Sequence, residues 1–330
     1  MSAPVFDPSF RGAVRVLAQL LPGAALASGT EPPLEVSARP TEPARTISTI
    51  VIEGGAMRAH RVFDAPTVGI AAFLDGTQVS RTIFATDEGI PFIYGTVAAV
   101  IRERRNRRLY TWRHLVWHRL YAPRTRLTAE LVERLEANGI AVRDVTATED
   151  GAPVGDHPLA WRDAAIHLLQ RDREAAEQEL AVDWCGREER VLLIDGGISG
   201  SERVAHASCA IGVIKSHRTL YAEGEALARV FGLKKGERSS VFRVTSPKRA
   251  TVASWYLRMR DRSGIDPMWG LVRVEVAYPE RADEPPIGRR ADLVSRWILA
   301  EAAPTALPDG RWDKMVYGIR DCEEFLRAVV

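Results

Sequence analysis

Leu192-Leu193-Ile194-Asp195-Gly196-Gly197-Ile198-Ser199 is an apolar run that ends on a carboxylate and continues into small residues. The same pattern stands more than a hundred positions earlier, at Ala71-Ala72-Phe73-Leu74-Asp75-Gly76-Thr77. A short apolar run bounded by glycine reads as a buried strand. A carboxylate at the end of such a strand is costly unless something neutralises it. Hard divalent cations such as Mg²⁺ or Mn²⁺, which take oxygen ligands, are a common solution. Asp-Gly is also a frequent hairpin turn, and either copy alone reads more readily that way. Two copies, each closing a hydrophobic strand, give a cation site shared by Asp75 and Asp195 equal standing.

Outward from these two stretches, residues 1–45 form an N-terminal extension, with a helical pattern from Phe10 to Leu21 and a linker through Pro32, Pro33, Pro40 and Pro43. Residues 46–330 form the main domain. Ile47–Glu53, Thr67–Leu74 and Gln78–Phe84 read as strands, with Pro91–Tyr94 entering a helix that covers Val97 to about Val116. Leu127–Asn138 reads as a short helix capped by Thr128 and closed by Gly139. Residues from about 97 to 157 are therefore expected as a basic helical insertion. A long helix over Ala160–Trp184 leads to the strand 191–194, for which Ala207–Ile214 is the expected hairpin partner. Ala222–Val230 reads as a helix. Ser240–Val244, Ser254–Arg260 and Leu271–Ala277 read as late strands, and Asp292–Glu301 and Arg320–Val329 as the last helices. Strands mixed with helices throughout predict an α/β fold with a mixed sheet.

The chain has 330 residues, 45 Lys+Arg, 43 Asp+Glu and 46% hydrophobic residues, an ordinary globular composition with ample length for a core. No apolar run approaches the roughly 20 residues of a membrane helix. No basic stretch followed by an apolar one opens the chain, so no secretory leader is expected. Cys185, Cys209 and Cys322 are too widely spaced for a CxxC zinc site or a disulfide framework, which suits a reducing cytoplasm. The small net charge of +2 hides nine arginines against one acid between Arg102 and Arg126. Tyr110, Trp112, Trp117, His114 and His118 are interleaved with them. Arg102, Arg104, Arg105, Arg107, Arg108 and Arg113 read either as a solvated face or as a phosphate-tracking surface for single strands, with the aromatics as stacking partners.

The long helix supplies further acids. At about 100° per residue, Ile166, Leu169, Ala176, Leu180 and Trp184 make one apolar stripe, and Glu177 lies beside it. Glu174 falls further round and Glu179 on the other flank. An acid near an inward face suits ligand duty better than a solvated one, although a surface carboxylate paired with Arg171 or Arg173 is an equal reading. Lys215, directly after the strand ending at Ile214, can meet a phosphate or stabilise developing charge, or belong to a surface turn. His206 and His217 have no evident partner in the sequence. The turn 196–201 lacks both the P-loop ending and the GxGxxG spacing.

Together, Phe73–Thr77, Leu192–Ser199, Ile211-Gly212-Val213-Ile214-Lys215-Ser216, Ser254-Trp255-Tyr256-Leu257-Arg258, Gly270–Val276 and the segment around Tyr317 resemble the NurA nuclease family, in order over roughly residues 65–330. The resemblance implies an RNase H-like mixed sheet flanked by helices that cuts DNA with Mn²⁺ or Mg²⁺. It implies Asp75, Glu177 and Asp195 as metal ligands, with Glu174 in reserve, and Tyr317 as the late site tyrosine. The family's histidine some eight residues after that tyrosine is missing here. Glu324, or Asp321 in reserve, is the acid that could replace it. The resemblance also implies a homodimer working with a HerA-type hexameric ATPase that translocates DNA, in DNA end processing and repair or in antiviral defence. The missing histidine leaves room for a second reading, a catalytically weakened DNA-binding or scaffold subunit. An actin or sugar-kinase relative would need a second glycine-rich turn after Leu271, and the sequence has none.

Overall fold

The computed structural model describes residues 8–20, 25–26, 44–63, 66–86, 89–148, 151–261, 266–279, 286–302 and 316–330. Five strands organise it: β1 (Ala72–Ala85), β2 (Pro91–Arg105), β3 (Arg108–Ala122), β4 (Leu192–Asp195) and β5 (Ala210–Ile214). β1, β2 and β3 form an antiparallel meander. β4 lies parallel to β1, and β5 parallel to β4. The spatial order 3-2-1-4-5, with the last two strands parallel to the first, is the order of an RNase H-like sheet. β6 (Val252–Arg258) and β7 (Leu271–Ala277) extend it antiparallel beyond β5, and the short strand Ala141–Asp144 closes the other edge.

Helices cover both faces. α3 (Pro158–Arg187) packs on one face with α1 (Pro8–Leu20) and α2 (Ala129–Ala137). α4 (Ile287–Glu301) and α5 (Tyr317–Val329) cover the other. Side chains alternate along a strand, so Leu74 and Ile194 join the α3-side core while Phe73 and Leu193 join the α5-side core. Trp184, fully buried at the end of α3, donates from its indole N–H to Arg190 O at 2.9 Å. Truncating such a side chain costs about 3–5 kcal/mol. The stripe read from Leu169 to Trp184 is the buried face of α3. Thr128 caps α2 by accepting from Leu131 N at 3.2 Å. α1 is seated on its own domain, with Ala13, Val16 and Leu17 buried and Phe10 edge-on to Tyr94. The proline-rich linker after it falls outside the described residues.

Three expectations change. Val97–Val116 is not helical: β2 and β3 form a hairpin whose two-residue loop, Asn106-Arg107, has φ of 50° and 64°. Two successive left-handed residues make the turn whose twist matches paired strands. β2 is buried on both faces, which erased the alternation that marks a half-exposed strand. Asp75-Gly76 is not a turn but the interior of β1, so the two strands expected at 67–74 and 78–84 are one. Ala210–Ile214 is not the hairpin partner of 192–195, because the strands run parallel and the helix Glu202–Ala205 lies in their connection.

Candidate active site

Leu74 is in register with Ile194 across β1 and β4. Asp75 and Asp195 are each one residue further on, and so are neighbours across a strand spacing of about 4.8 Å, on the face shared with Phe73 and Leu193. β4 ends at Asp195, and Lys215 follows the end of the parallel β5, so its ammonium reaches Asp195 Oδ2 at 2.8 Å. Glu177 arrives from the opposite face on α3. A Cβ at position 76 would lie 2.3 Å from Glu177 Oε1, so the carboxylate occupies the space where any larger residue would put its side chain. The glycine of the Asp-Gly pair is thus required for close approach of an acid. Glu177 is held there by its i+4 neighbour Arg173.

The electrostatics record this convergence. The Asp75 carboxyl is pushed up to about 8, by burial first and by Asp195 and Glu177 as well, against the lowering effects of Lys215 and the Gly76 N–H. Burial lifts Glu177 to about 7, with Glu174 and Asp195 adding to the rise and Arg173 opposing it. Asp75 and Glu177, both shifted toward the neutral form, and Asp195 beside them make a hard, oxygen-only donor set, the chemistry that Mg²⁺ and Mn²⁺ prefer. Among the described residues, no group of three or more His, Cys, Asp and Glu side chains is drawn tightly enough to enclose a metal ion in this conformation. Lys215 stands on Asp195 and Arg173 on Glu177, each supplying the positive charge instead.

Two clefts of about 470 Å³ each flank the carboxylates, and Asp195, Gly196 and Arg173 line both. The cleft toward α5 also takes Asp75, Lys215, Glu323 and Arg327. The cleft toward α3 takes Glu177, Glu174 and a set of basic side chains. α5 lies tight on β1, since a Cβ at Gly318 would sit 2.3 Å from the Phe73 ring and the Cys322 thiol donates to Phe73 O at 3.4 Å.

Not every residue singled out in the sequence is brought in. Tyr317 is 55% exposed at the start of α5 and lines neither cleft. Asp321 turns away to Arg102 at 2.5 Å, and Glu324, 61% exposed, pairs with Arg320. The acid that α5 does present is Glu323, one position from the residue expected. The signal was available: Ile319, Cys322 and Leu326 are the buried face of the helix, and Glu323 lies four after the first and three before the last. Arg173 was also visible in the sequence, one helical turn before Glu177.

The arginine cluster has a structural use. Arg102 joins β2 to Asp321 of α5, and Arg104 makes a paired contact with Glu301 of α4 at 2.6 and 2.7 Å. Arg113 clamps β3 to Asp183 and Glu179 of α3, and Arg105 pairs with the buried Glu103. Trp112 packs edge-on against Trp184, and Trp117 lies under Arg119, so neither ring is a free stacking platform. Arg107 and Arg108 remain at the exposed hairpin tip. One-sided charge in the sequence here is balanced by acids from three helices.

No family model matches this chain, and no curated protein sequence matches it. Among solved structures, the NurA nuclease from Sulfolobus solfataricus is similar over 84% of this chain and 81% of that one, at 12% identity and a TM-score of 0.42. The catalytic domain of human endonuclease V is similar over 81% of this chain and 85% of that one, at 12% identity and a TM-score of 0.31.

Proposed function

We propose that this chain is a divalent-cation-dependent nuclease that hydrolyses phosphodiester bonds of DNA. One observation supports the reading: Asp75 and Asp195 stand next to each other on the register-paired β1 and β4, and the Glu177 carboxylate of α3 fills the space beside Gly76. A fold does not gain stability from such crowding, so a ligand that reverses it is the natural explanation. Asp75, Glu177 and Asp195 would hold Mn²⁺ or Mg²⁺, with Glu323 facing the same cleft. The bound cation would supply an activated water and charge neutralisation at the phosphate.

The chain's own residues then have distinct tasks. Lys215, released from Asp195 as cation binds, is placed to stabilise the negative charge that grows on the phosphoryl oxygens. Burial favours the protonated form of the Asp75 carboxyl, so a cation held there would displace a proton. Gly196, beside Asp195 in both clefts, leaves room for a sugar–phosphate backbone to pass close to the carboxylates.

The resemblance noted in the sequence extends the reading to a homodimer that works with a HerA-type hexameric ATPase, in end processing or in defence. Co-purification of the two full-length chains tests that extension. No described helix is long and apolar enough to cross a membrane. The cation-filled carboxylates favour one alternative, a DNA-binding subunit in which Lys215 and Arg173 stand permanently in place of a metal. Incubation with linear DNA and Mn²⁺, with and without chelator, separates the two. The nuclease reading expects chelator-sensitive cleavage that Asp75→Asn and Asp195→Asn each abolish while DNA binding persists. Binding with no cleavage under any divalent cation would leave the subunit reading.

A further inference from the structure

The sequence offers the arginines of the β2–β3 hairpin as either a solvated face or a phosphate-tracking surface, and in the fold Arg102, Arg104, Arg105 and Arg113 pair with acids. The α3-side cleft gathers a second set of basic side chains, closer to the carboxylates. Arg143, Arg171, Arg173, Lys248 and Arg249 all line it, contributed by three separate segments of the chain. Within it Asp172 pairs with Arg143 at 3.1 Å and with Arg119 at 2.6 Å, Glu174 faces Arg171 at 4.0 Å and Glu177 pairs with Arg173, which leaves the Lys248-Arg249 loop as the basic element at its exposed rim.

Lys248 and Arg249 sit on the loop between the strand Phe242–Val244 and β6, and both are exposed. The loop is fastened to the turn that follows Asp195, where Ala250 N donates to Ser199 O at 2.9 Å. Lys248 has a φ of 60°, a left-handed conformation that a residue with a side chain adopts at a cost of about 1–2 kcal/mol. Backbone strain of this kind concentrates where a side chain must be aimed. Gly200, which also lines the cleft, has nothing within 4 Å of where a Cβ would stand. No Phe, Tyr or Trp is among the cleft's lining residues, so bases find no stacking surface there.

We propose that this cleft, and the Lys248-Arg249 loop above all, is the phosphate-holding tract that delivers a nucleic-acid strand to the carboxylates, reading backbone charge and not base identity. The proposal rests on the nuclease reading of the same centre. A tract of this kind contacts one or more phosphates away from the bond that is cut, so it contributes to strand binding and is dispensable for a small diester that cannot reach it.

The test uses the full chain and the variant Lys248→Gln/Arg249→Gln, with Lys234→Gln/Lys235→Gln as a control that removes equal charge from an exposed turn elsewhere. Binding of a fluorescein-labelled 20-nucleotide single-stranded oligodeoxynucleotide, and of its duplex, is followed by anisotropy in EDTA over a salt series. Thermal melts confirm that both variants fold. Loss of two single-strand phosphate contacts lowers the slope of log K against log salt by about 1.4, and weakens binding by about tenfold at 0.1 M salt. The control retains slope and affinity, and Mn²⁺-dependent hydrolysis of bis-p-nitrophenyl phosphate is equal in wild type and K248Q/R249Q.

Unchanged binding by K248Q/R249Q, or an equal loss in the control, overturns the tract while a chain that still cuts DNA keeps its nuclease assignment. A wild-type chain that hydrolyses neither DNA nor the small diester removes the nuclease reading, and the tract with it.

Discussion

Asp75→Asn should stabilise the cation-free protein while destroying its activity, and the stabilisation should grow with pH. The carboxyl is 8% exposed, and burial with Asp195 and Glu177 moves it from 3.8 to about 8. Between those values it is protonated in the fold and ionised in the unfolded chain. The fold therefore binds the extra proton, and stability is fullest below 3.8 and is lost as pH rises toward 8. At about 1.4 kcal/mol per pH unit, the loss accumulated by pH 7 is at most about 4 kcal/mol, a ceiling that side-chain relaxation and water entry lower. Asparagine has the same shape and no proton to lose. Urea denaturation followed by tryptophan fluorescence, in EDTA from pH 4 to pH 8, should show the two proteins nearly equal at pH 4. By pH 7.5 the variant should lead by about 2–4 kcal/mol. Adding Mn²⁺ should raise the wild type alone, because only its intact centre gains from ligand binding. A difference that is flat with pH, or a variant that loses ground as pH rises, would refute the assignment of Asp75 to a crowded acidic centre.

Other substitutions probe the packing around that centre. Gly76→Ala drives a methyl into Glu177 and should cut cleavage at least tenfold, at a stability cost of about 1–3 kcal/mol; Gly76→Ala/Glu177→Ala should recover the stability in urea melts but not the activity. Gly318→Ala collides with the Phe73 ring and should cost a similar amount, relieved by pairing it with Phe73→Leu and read as a shift in melting temperature. Arg238 is buried against Glu53 at 2.7 and 2.9 Å and Asp292 at 2.6 Å, so Glu53→Gln should destabilise the fold by about 3 kcal/mol. Its cost, measured by urea denaturation, should be independent of divalent cation.

The two strand aspartates stood out because a carboxylate set against an apolar strand run violates the usual pattern, and such violations concentrate at function; that Asp75 lies inside β1, not at its end, was not visible. Periodicity placed Glu177 beside the apolar stripe of α3, whose Leu180 and Trp184 fix which way the helix faces, and the family resemblance preferred it to Glu174. β2 was misread for a physical reason. Val97-Ala98-Ala99-Val100-Ile101 is buried on both faces, and an unbroken apolar run carries no period that separates strand from helix. The one local clue to the hairpin was Asn106, a residue that tolerates the left-handed turn. The arginines of this hairpin read ambiguously for another reason: four of their acidic partners, Asp321, Glu301, Asp183 and Glu179, lie 66 to 219 positions away. Net charge along a segment says nothing about acids that the fold brings to it. The basic cleft over the carboxylates was invisible for the same cause, since Arg143, Arg171 and Lys248-Arg249 come from separate segments.

Mn²⁺ binding to the wild-type chain and to Asp75→Asn, Glu177→Gln and Asp195→Asn, followed by electron paramagnetic resonance of the free ion, bears most directly on the claim that these acids form one centre. The account predicts saturable binding by the wild type and at least a tenfold weakening in every one of the three variants. Equal affinity in all four proteins, or no Mn²⁺ bound by the wild type at millimolar concentration, would contradict it.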